Sequence, residues 1–251
     1  MVTDFQPVMT RVWLPSGCVI INTDTGAKNA AVSLRPQVAG DKQAIELIEK
    51  TVIEQVEGTL VIRVPEPHAQ SVTFGRNSVV VRGSGNVVVG SGRSMTIING
   101  QVISGGGANI VGTGSVVLSL RLRAGSNLRL DGDNLDVESF GALGEVEVNA
   151  SNGSARIVKA HSLDVESTNA TVTAEEVARA EISTSNGSIK VGRVTERARL
   201  RTTNGSIKAV TETADFRART TNGSVRVTAR GVQIDKSAVS TTNGSRKISH
   251  V

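Results

Sequence analysis

The chain has 251 residues, with 28 Lys and Arg against 23 Asp and Glu for a formal net charge of +5, and 26 glycines beside four Phe, one Trp and no Tyr. That length allows a substantial core, and so few aromatics argue against the pocket of an ordinary globular enzyme and for thin layers of Val, Ile, Leu and Ala between stacked strands. A single cysteine, Cys18, excludes an intrachain disulfide and a cysteine-rich zinc centre, and its expected place is that of a small buried hydrophobe.

The first residues lack a basic stretch followed by an apolar one, and no apolar run reaches the roughly 18–20 residues of a membrane span. The expectation is a soluble cytoplasmic chain, or one incorporated in a particle or associated with an envelope. Residues 12–21 and 31–34 read as strands. Residues 41–50 carry Ala44, Ile45, Leu47 and Ile48 at helical spacing behind Asp41, a suitable N-cap. Residues 51–56 and 59–64 alternate around Glu57-Gly58 as a hairpin does, and Pro65 and Pro67 stop the second strand. We take residues 1–67 as a β-rich N-terminal cap with one short helix, because the terminal unit of a stacked fold needs a different outer surface.

Residues 68–251 form the expected repeat domain, and 75–114 are its Gly-rich section. There, residues 78–82, 86–89 and 95–98 are short β-branched runs between turn clusters such as Gly83-Ser84-Gly85, Gly90-Ser91-Gly92 and Gly105-Gly106-Gly107. Gly85 and Gly90 have the spacing that opens a phosphate-binding loop. Ser91-Gly92 stand where Lys and Ser/Thr are required and no helical pattern follows, so that reading is rejected. Alternation resumes at 116–123 and 128–130.

Asn-Gly-Ser then occurs at Asn152, Asn186, Asn204, Asn222 and Asn243, with a degenerate copy, Asn169-Ala170-Thr171, between the first two. The intervals are 17, 17, 18, 18 and 21 residues, the period of a repeat fold. Six residues before the asparagine stand Val146, Leu163, Ala180, Ala198, Phe216 and Ser237, and four before it Val148, Val165, Ile182, Leu200, Ala218 and Val239. Three after it stand Ala155, Val172, Ile189, Ile207, Val225 and Arg246, and five after it Ile157, Ala174, Val191, Ala209, Val227 and Ile248. Only Ser237 and Arg246 break these apolar columns. Polar residues separate the columns, so each repeat holds two strands with one buried face each. Two geometries fit: parallel coils stacked about 4.8 Å apart with an asparagine ladder at one corner, or an antiparallel meander of Asn-Gly hairpins. The constancy of each column favours the coils, since stacking demands like upon like. The 21-residue interval is then a corner insertion around Gly231-Val232-Gln233. Each Asn-Gly-Ser, and Asn149-Ala150-Ser151, also spells a glycosylation acceptor, but a corner turn accounts for it.

The stretch from Gly17-Cys18-Val19-Ile20 to Gly58-Thr59-Leu60-Val61-Ile62-Arg63-Val64-Pro65, together with the Thr-Thr-Asn-Gly-Ser-like repeats of residues 151–245, resembles the bacterial β-strand-repeat domains of the "putative adhesin" family and their toast-rack relatives. The resemblance implies a β-solenoid without established catalytic residues.

Charge is distributed unevenly. Residues 186–251 hold 13 Lys and Arg against four Asp and Glu, whereas residues 1–185 hold 15 against 19. In stacked coils, Arg199, Arg201, Arg217 and Arg219 would form one basic patch, and Lys190, Lys208, Arg226 and Lys247 a basic row on the next face. Like charges at such spacing repel, so the pattern either suits an anionic partner or keeps a sheet soluble. Partners expected are a protein, a second copy docking acidic end to basic end, an anionic polymer or an envelope surface. Nucleic acid is disfavoured because stacking aromatics are nearly absent from the basic strands.

The three histidines, His68, His161 and His250, have no metal-ligand spacing, and no cofactor is implied. Asp136, Glu138, Asp164 and Glu166 could serve a polysaccharide-acting enzyme as paired carboxylates, but solvent-facing positions on alternating strands explain them more simply. The sequence therefore reads as an all-β parallel solenoid of about 17–18 residues per coil. Its expected role is that of a non-catalytic structural or binding module, adhesin-like or a scaffold. A virion or particle component is the first alternative and a β-helix enzyme the second.

Overall fold

The computed structural model describes residues 9–27, 29–67, 96–98, 101–103 and 114–251, with the backbone alone described for 96–98 and 101–103. The expected strands at 78–82 and 86–89, the glycine clusters among them and His68 lie outside the described residues. In chain order the elements are β1 (Met9–Trp13), β2 (Ser16–Asp24), β3 (Ala31–Pro36), α1 (Lys42–Glu49), β4 (Val52–Val56), β5 (Thr59–Arg63), β6 (Thr96–Ile98), β7 (Gln101–Ile103), β8 (Val116–Arg123), β9 (Asn127–Asn186), β10 (Ile189–Asn204), β11 (Ile207–Thr211), β12 (Phe216–Asn222), β13 (Val225–Ala229), β14 (Val239–Asn243) and β15 (Arg246–His250).

Alternation on both sides of each asparagine becomes parallel pairing between neighbouring repeats. β10 lies on β9 with Ile189 opposite Val172 and Asn204 opposite Asn186. β11 and β12 lie on β10, β13 on β11, β14 on β12 and β15 on β13, all parallel and offset by one repeat. A hairpin would instead set the two strands beside each Asn-Gly antiparallel to one another, so the register decides for stacked coils. We read this stack as a β-solenoid. Val146, Leu163, Ala180, Ala198 and Phe216 fill its interior on one side, and Ile157, Val172, Ile189, Ile207 and Val225 on the other. The late 21-residue interval is accommodated between β13 and β14, where Gly231 has φ 63° and residues Lys236–Ala238 form a single 3₁₀ turn capped by Asp235. Ser237 falls in that turn, which is why it breaks its apolar column. Arg246 breaks another, because its guanidinium donates to the carbonyls of Lys236 and Val239, both at 3.1 Å.

The Thr-Thr-Asn-Gly-Ser motif has a physical reason at each position. The first threonine faces inward, and Thr202, Thr220 and Thr241 donate to the carbonyls of Gly187, Gly205 and Gly223 in the preceding coil, at 3.1, 3.0 and 2.9 Å. The glycine is a matter of space. A Cβ on Gly187 would stand 1.9 Å from the Ala170 carbonyl oxygen, and one on Gly205 1.9 Å from that of Gly187. Ala170 is tolerated in the same column because its side chain turns inward and is buried.

The asparagines form the ladder. Asn152 Nδ2 donates to Asn134 Oδ1 (3.0 Å), and Asn169, Asn186, Asn204, Asn222 and Asn243 each donate to the asparagine one coil earlier at 2.7–2.9 Å. The first rung, Asn134, was missed from sequence because Leu135 follows it in place of glycine.

The beginning of the stack is interlaced. β1 and β2 pair in parallel with β9 on one side and with β5 and β8 on the other. Residues 9–24 are thus a coil lying between strands that come later in the chain. β5 and β8 make the next coil outward, and the chain leaves it between residues 63 and 116, at the corner where the coil above has Pro15 and Ser16. Ser16 and Ser115 hydroxyls meet there at 3.2 Å. β6 and β7 form an antiparallel hairpin within that excursion. Beyond this coil, β3 and β4 pair antiparallel with β8 and β5. Asp41 caps α1 as expected, its Oδ1 accepting from the backbone of Gln43 and Ala44, and its Oδ2 also accepts from Gly114 N at 3.1 Å.

Candidate functional site

Successive coils carry side chains outward at about 4.8 Å intervals, so each sequence column becomes a row along the stack. After the asparagine corner, Lys190 lies opposite Lys208, Lys208 opposite Arg226, and Arg226 opposite Lys247. All four are exposed. None of the ion pairs formed among the described residues includes any of them. The row is a run of four cations held by backbone pairing at spacings where they repel.

Before the corner, Arg199 lies opposite Arg217 and Arg201 opposite Arg219. The structure brings the four arginines together and distinguishes one of them. Arg199 folds onto Asp215, donating to its carboxylate and, at 3.3 Å, to its backbone carbonyl; Arg197 also reaches that carboxylate at 3.4 Å. Arg219 donates to Ser240 Oγ at 3.3 Å. Arg201, Arg217 and Arg219 have no ion pair among the described residues.

The same face turns acidic one coil earlier. Glu181 lies opposite Arg199, and Glu147, Asp164 and Glu181 occupy one column, with Glu166 beside Asp164. Burial, then the charges of Glu181, Glu166 and Glu147, push the Asp164 carboxyl above the usual carboxylate range. The hydrogen bond from Arg199 holds Asp215 below it. The signs are opposite. Asp164 costs stability that accrues as pH rises from the unfolded value of about 3.9 through the raised folded one, and the cost is absent below both. Asp215 adds stability above the unfolded value and loses it as pH falls through its depressed folded pKa. Asp164→Asn is therefore expected to raise Tm at neutral pH, and Asp215→Asn to lower it. In thermal melts the first difference should vanish below about pH 3, and the second only at still lower pH.

Asp136 and Glu138 stand on the other side of the corner from Asp164 and Glu166, so the four carboxylates imagined for an enzyme do not meet. Asp136 lies opposite Cys18 and accepts from Ser154 Oγ at 2.6 Å. Cys18 is partly exposed on this outer surface, in contrast to the expected core position, because Gly17 and Val19 take the inward positions on β2. Its burial, followed by Asp136 and Glu138, pushes the thiol up and away from thiolate reactivity. His161 and His250 are exposed, and among the described residues no group of three His, Cys, Asp or Glu is placed to hold a metal ion. No helix among the described residues is long and apolar enough to cross a membrane.

A third set of rows, not recognised from sequence, behaves differently. Lys159, Glu176, Arg193 and Glu212 alternate in sign coil by coil. Lys159 pairs with Glu176 at 2.7 Å, Arg193 with Glu176 at 3.9 Å and with Glu212 at 2.8 Å. Arg179 pairs with Glu196 at 2.8 Å. The signal lay seven to ten residues after each asparagine, beyond the last apolar column compared.

No family model matches the chain, and no curated protein matches it in sequence. Among solved structures, a putative adhesin from Bacteroides fragilis NCTC 9343 is similar over 99% of this chain and 94% of its own, at 10% identity and a TM-score of 0.50. A putative cell adhesion protein from Clostridium sporogenes ATCC 15579 aligns over 98% of this chain and 93% of its own at 10% identity, with a TM-score of 0.27, too low to carry an argument. The first likeness extends the adhesin-family resemblance of the repeats to the fold, and at this identity to the fold alone.

Proposed function

We propose that this protein is a non-catalytic binding module, adhesin-like or a scaffold, that presents a rigid cationic row to an anionic partner. The row of Lys190, Lys208, Arg226 and Lys247 carries the reading. The row from Lys159 to Glu212 illustrates how the same coils accommodate charge when stability is the only demand: the sign alternates and neighbours pair. A row of one sign forgoes that and offers a fixed ladder of cations to a linear acidic polymer or an acidic envelope surface running along the stack. A solved structure similar in fold is described as a putative adhesin, which supports a role in attachment.

The test is binding of poly-glutamate and of a sulfated polysaccharide, measured by calorimetry at several salt concentrations. Wild type should bind with an affinity that falls steeply with salt. The double variant Lys208→Glu, Arg226→Glu should lose about tenfold or more, since two attractions become repulsions. Equal binding by the variant, or indifference to salt, would overturn the reading.

A further inference from the structure

The face before the asparagine corner has a charge pattern that its own copy would complete. Two outward columns run along it, five and three residues before each asparagine. Read coil by coil they hold Asp164 and Glu166, then Glu181 and Ser183, then Arg199 and Arg201, then Arg217 and Arg219. The register Glu181–Arg199–Arg217 and Ser183–Arg201–Arg219 is fixed by backbone pairing. Asp164, Glu166, Glu181, Arg201, Arg217 and Arg219 are all exposed, and none has an ion pair among the described residues.

We propose that two copies of this chain associate face to face, with their stacks antiparallel, through this surface. The two-fold axis lies in the plane of the face, along the strands, between the Glu181 and Arg199 coils. It keeps each column on itself and reverses the order of the coils. Asp164 then faces Arg217 of the second copy, Glu166 faces Arg219, and Glu181 faces Arg199. The fourth correspondence sets Arg201 against the Ser183 hydroxyl. The pattern is self-complementary, as an isologous interface requires. The symmetry makes four ion pairs from the first two correspondences, and Glu181 meets Arg199 as a further partner beside Asp215 of that arginine's own chain, which already holds the guanidinium. Arg217 of the second copy would also relieve the crowding of carboxylates around Asp164. The flanking coils fit the same scheme. Glu147 and Asn149 would face Ala238 and Ser240, and Glu147 is already paired with Arg129 within its own chain.

The size is compatible with reversible association. Six coils at about 4.8 Å and five residues of strand at about 3.3 Å give roughly 475 Å² per copy, so the total falls in the range of weak, transient interfaces. Association should therefore depend on charge and weaken with salt. This proposal uses different residues from the cationic row after the corner, so either can fail alone.

The experiment is sedimentation velocity at low and high salt on wild type, on Glu166→Arg and on Arg219→Glu, each checked for fold by circular dichroism. Wild type should dimerise at low salt and dissociate at high salt. Each variant alone should weaken dimerisation by about tenfold or more, because the two-fold repeats every clash. Mixing the two variants should restore a heterodimer, as should combining both substitutions in one chain, since position 166 of one copy meets position 219 of the other and the two reversed charges again attract. A wild-type monomer at low salt, a dimer that neither variant weakens, or variants that fail to complement each other would overturn the proposal.

Discussion

Gly205→Ala is expected to cost about 3 kcal/mol or more, a large share of the stability of an ordinary domain. The new methyl would lie 1.9 Å from the Gly187 carbonyl oxygen and 2.7 Å from its carbon. Both are backbone atoms, and the Gly187 carbonyl is also the acceptor for Thr202. Relief would require parting two coils along their whole corner, breaking the Asn204–Asn186 rung and the bond from Gly187 N to the Asn204 carbonyl. Gly231→Ala is the control. Its φ is 63°, so alanine is strained there, but nothing lies within 4 Å, and about 1–2 kcal/mol is expected. Urea denaturation of both variants separates crowding from backbone strain. Equal losses would show that the corner can open cheaply.

Phe216→Ala should cost about 3–5 kcal/mol in the same measurement. Phe216 is among the largest fully buried side chains and lies opposite Ala198 in the coil beneath. The column reads Val146, Leu163, Ala180, Ala198, Phe216, Ser237, so Phe216 stands between the small residues Ala198 and Ser237 in that order, and no side chain of similar size next to it in the column can swing into the space. Phe216→Leu retains most of the volume and should lose less than about 1.5 kcal/mol. A Phe216→Ala loss close to that of Phe216→Leu would mean that the coils close over the cavity.

The repeat was readable because stacking imposes one rule on every coil. Apolar columns, inward threonines and the Asn-Gly corner recur at fixed spacing, and parallel register turns that spacing directly into contacts. The same logic placed Lys190, Lys208, Arg226 and Lys247 in one row. What escaped notice had no period to betray it. β1 and β2 enter the stack between β9 and the β5–β8 coil, and nothing in a spacing of residues 12–21 against 59–64 and 116–123 announces that order. Asn134 lacks the glycine that marks the other rungs, because its corner is followed by the inward-facing Leu135. The pairing of Arg199 with Asp215 joins neighbouring coils through an irregular turn, where column arithmetic stops applying.

The asparagine corner also bears on how this protein ages. Asn-Gly is the sequence in which an asparagine most readily cyclises and deamidates, since the next backbone nitrogen can attack the side-chain carbonyl unhindered. Here the nitrogens of Gly187, Gly205 and Gly223 are held by the carbonyls of Asn204, Asn222 and Asn243, while the side-chain amides are held by one another. Nucleophile and electrophile are both fixed by the neighbouring coil. The chemically fragile dipeptide is thereby preserved for as long as the coils stay together. Wherever they part, conversion to aspartate would remove a donor from the ladder and leave a permanent mark of that opening.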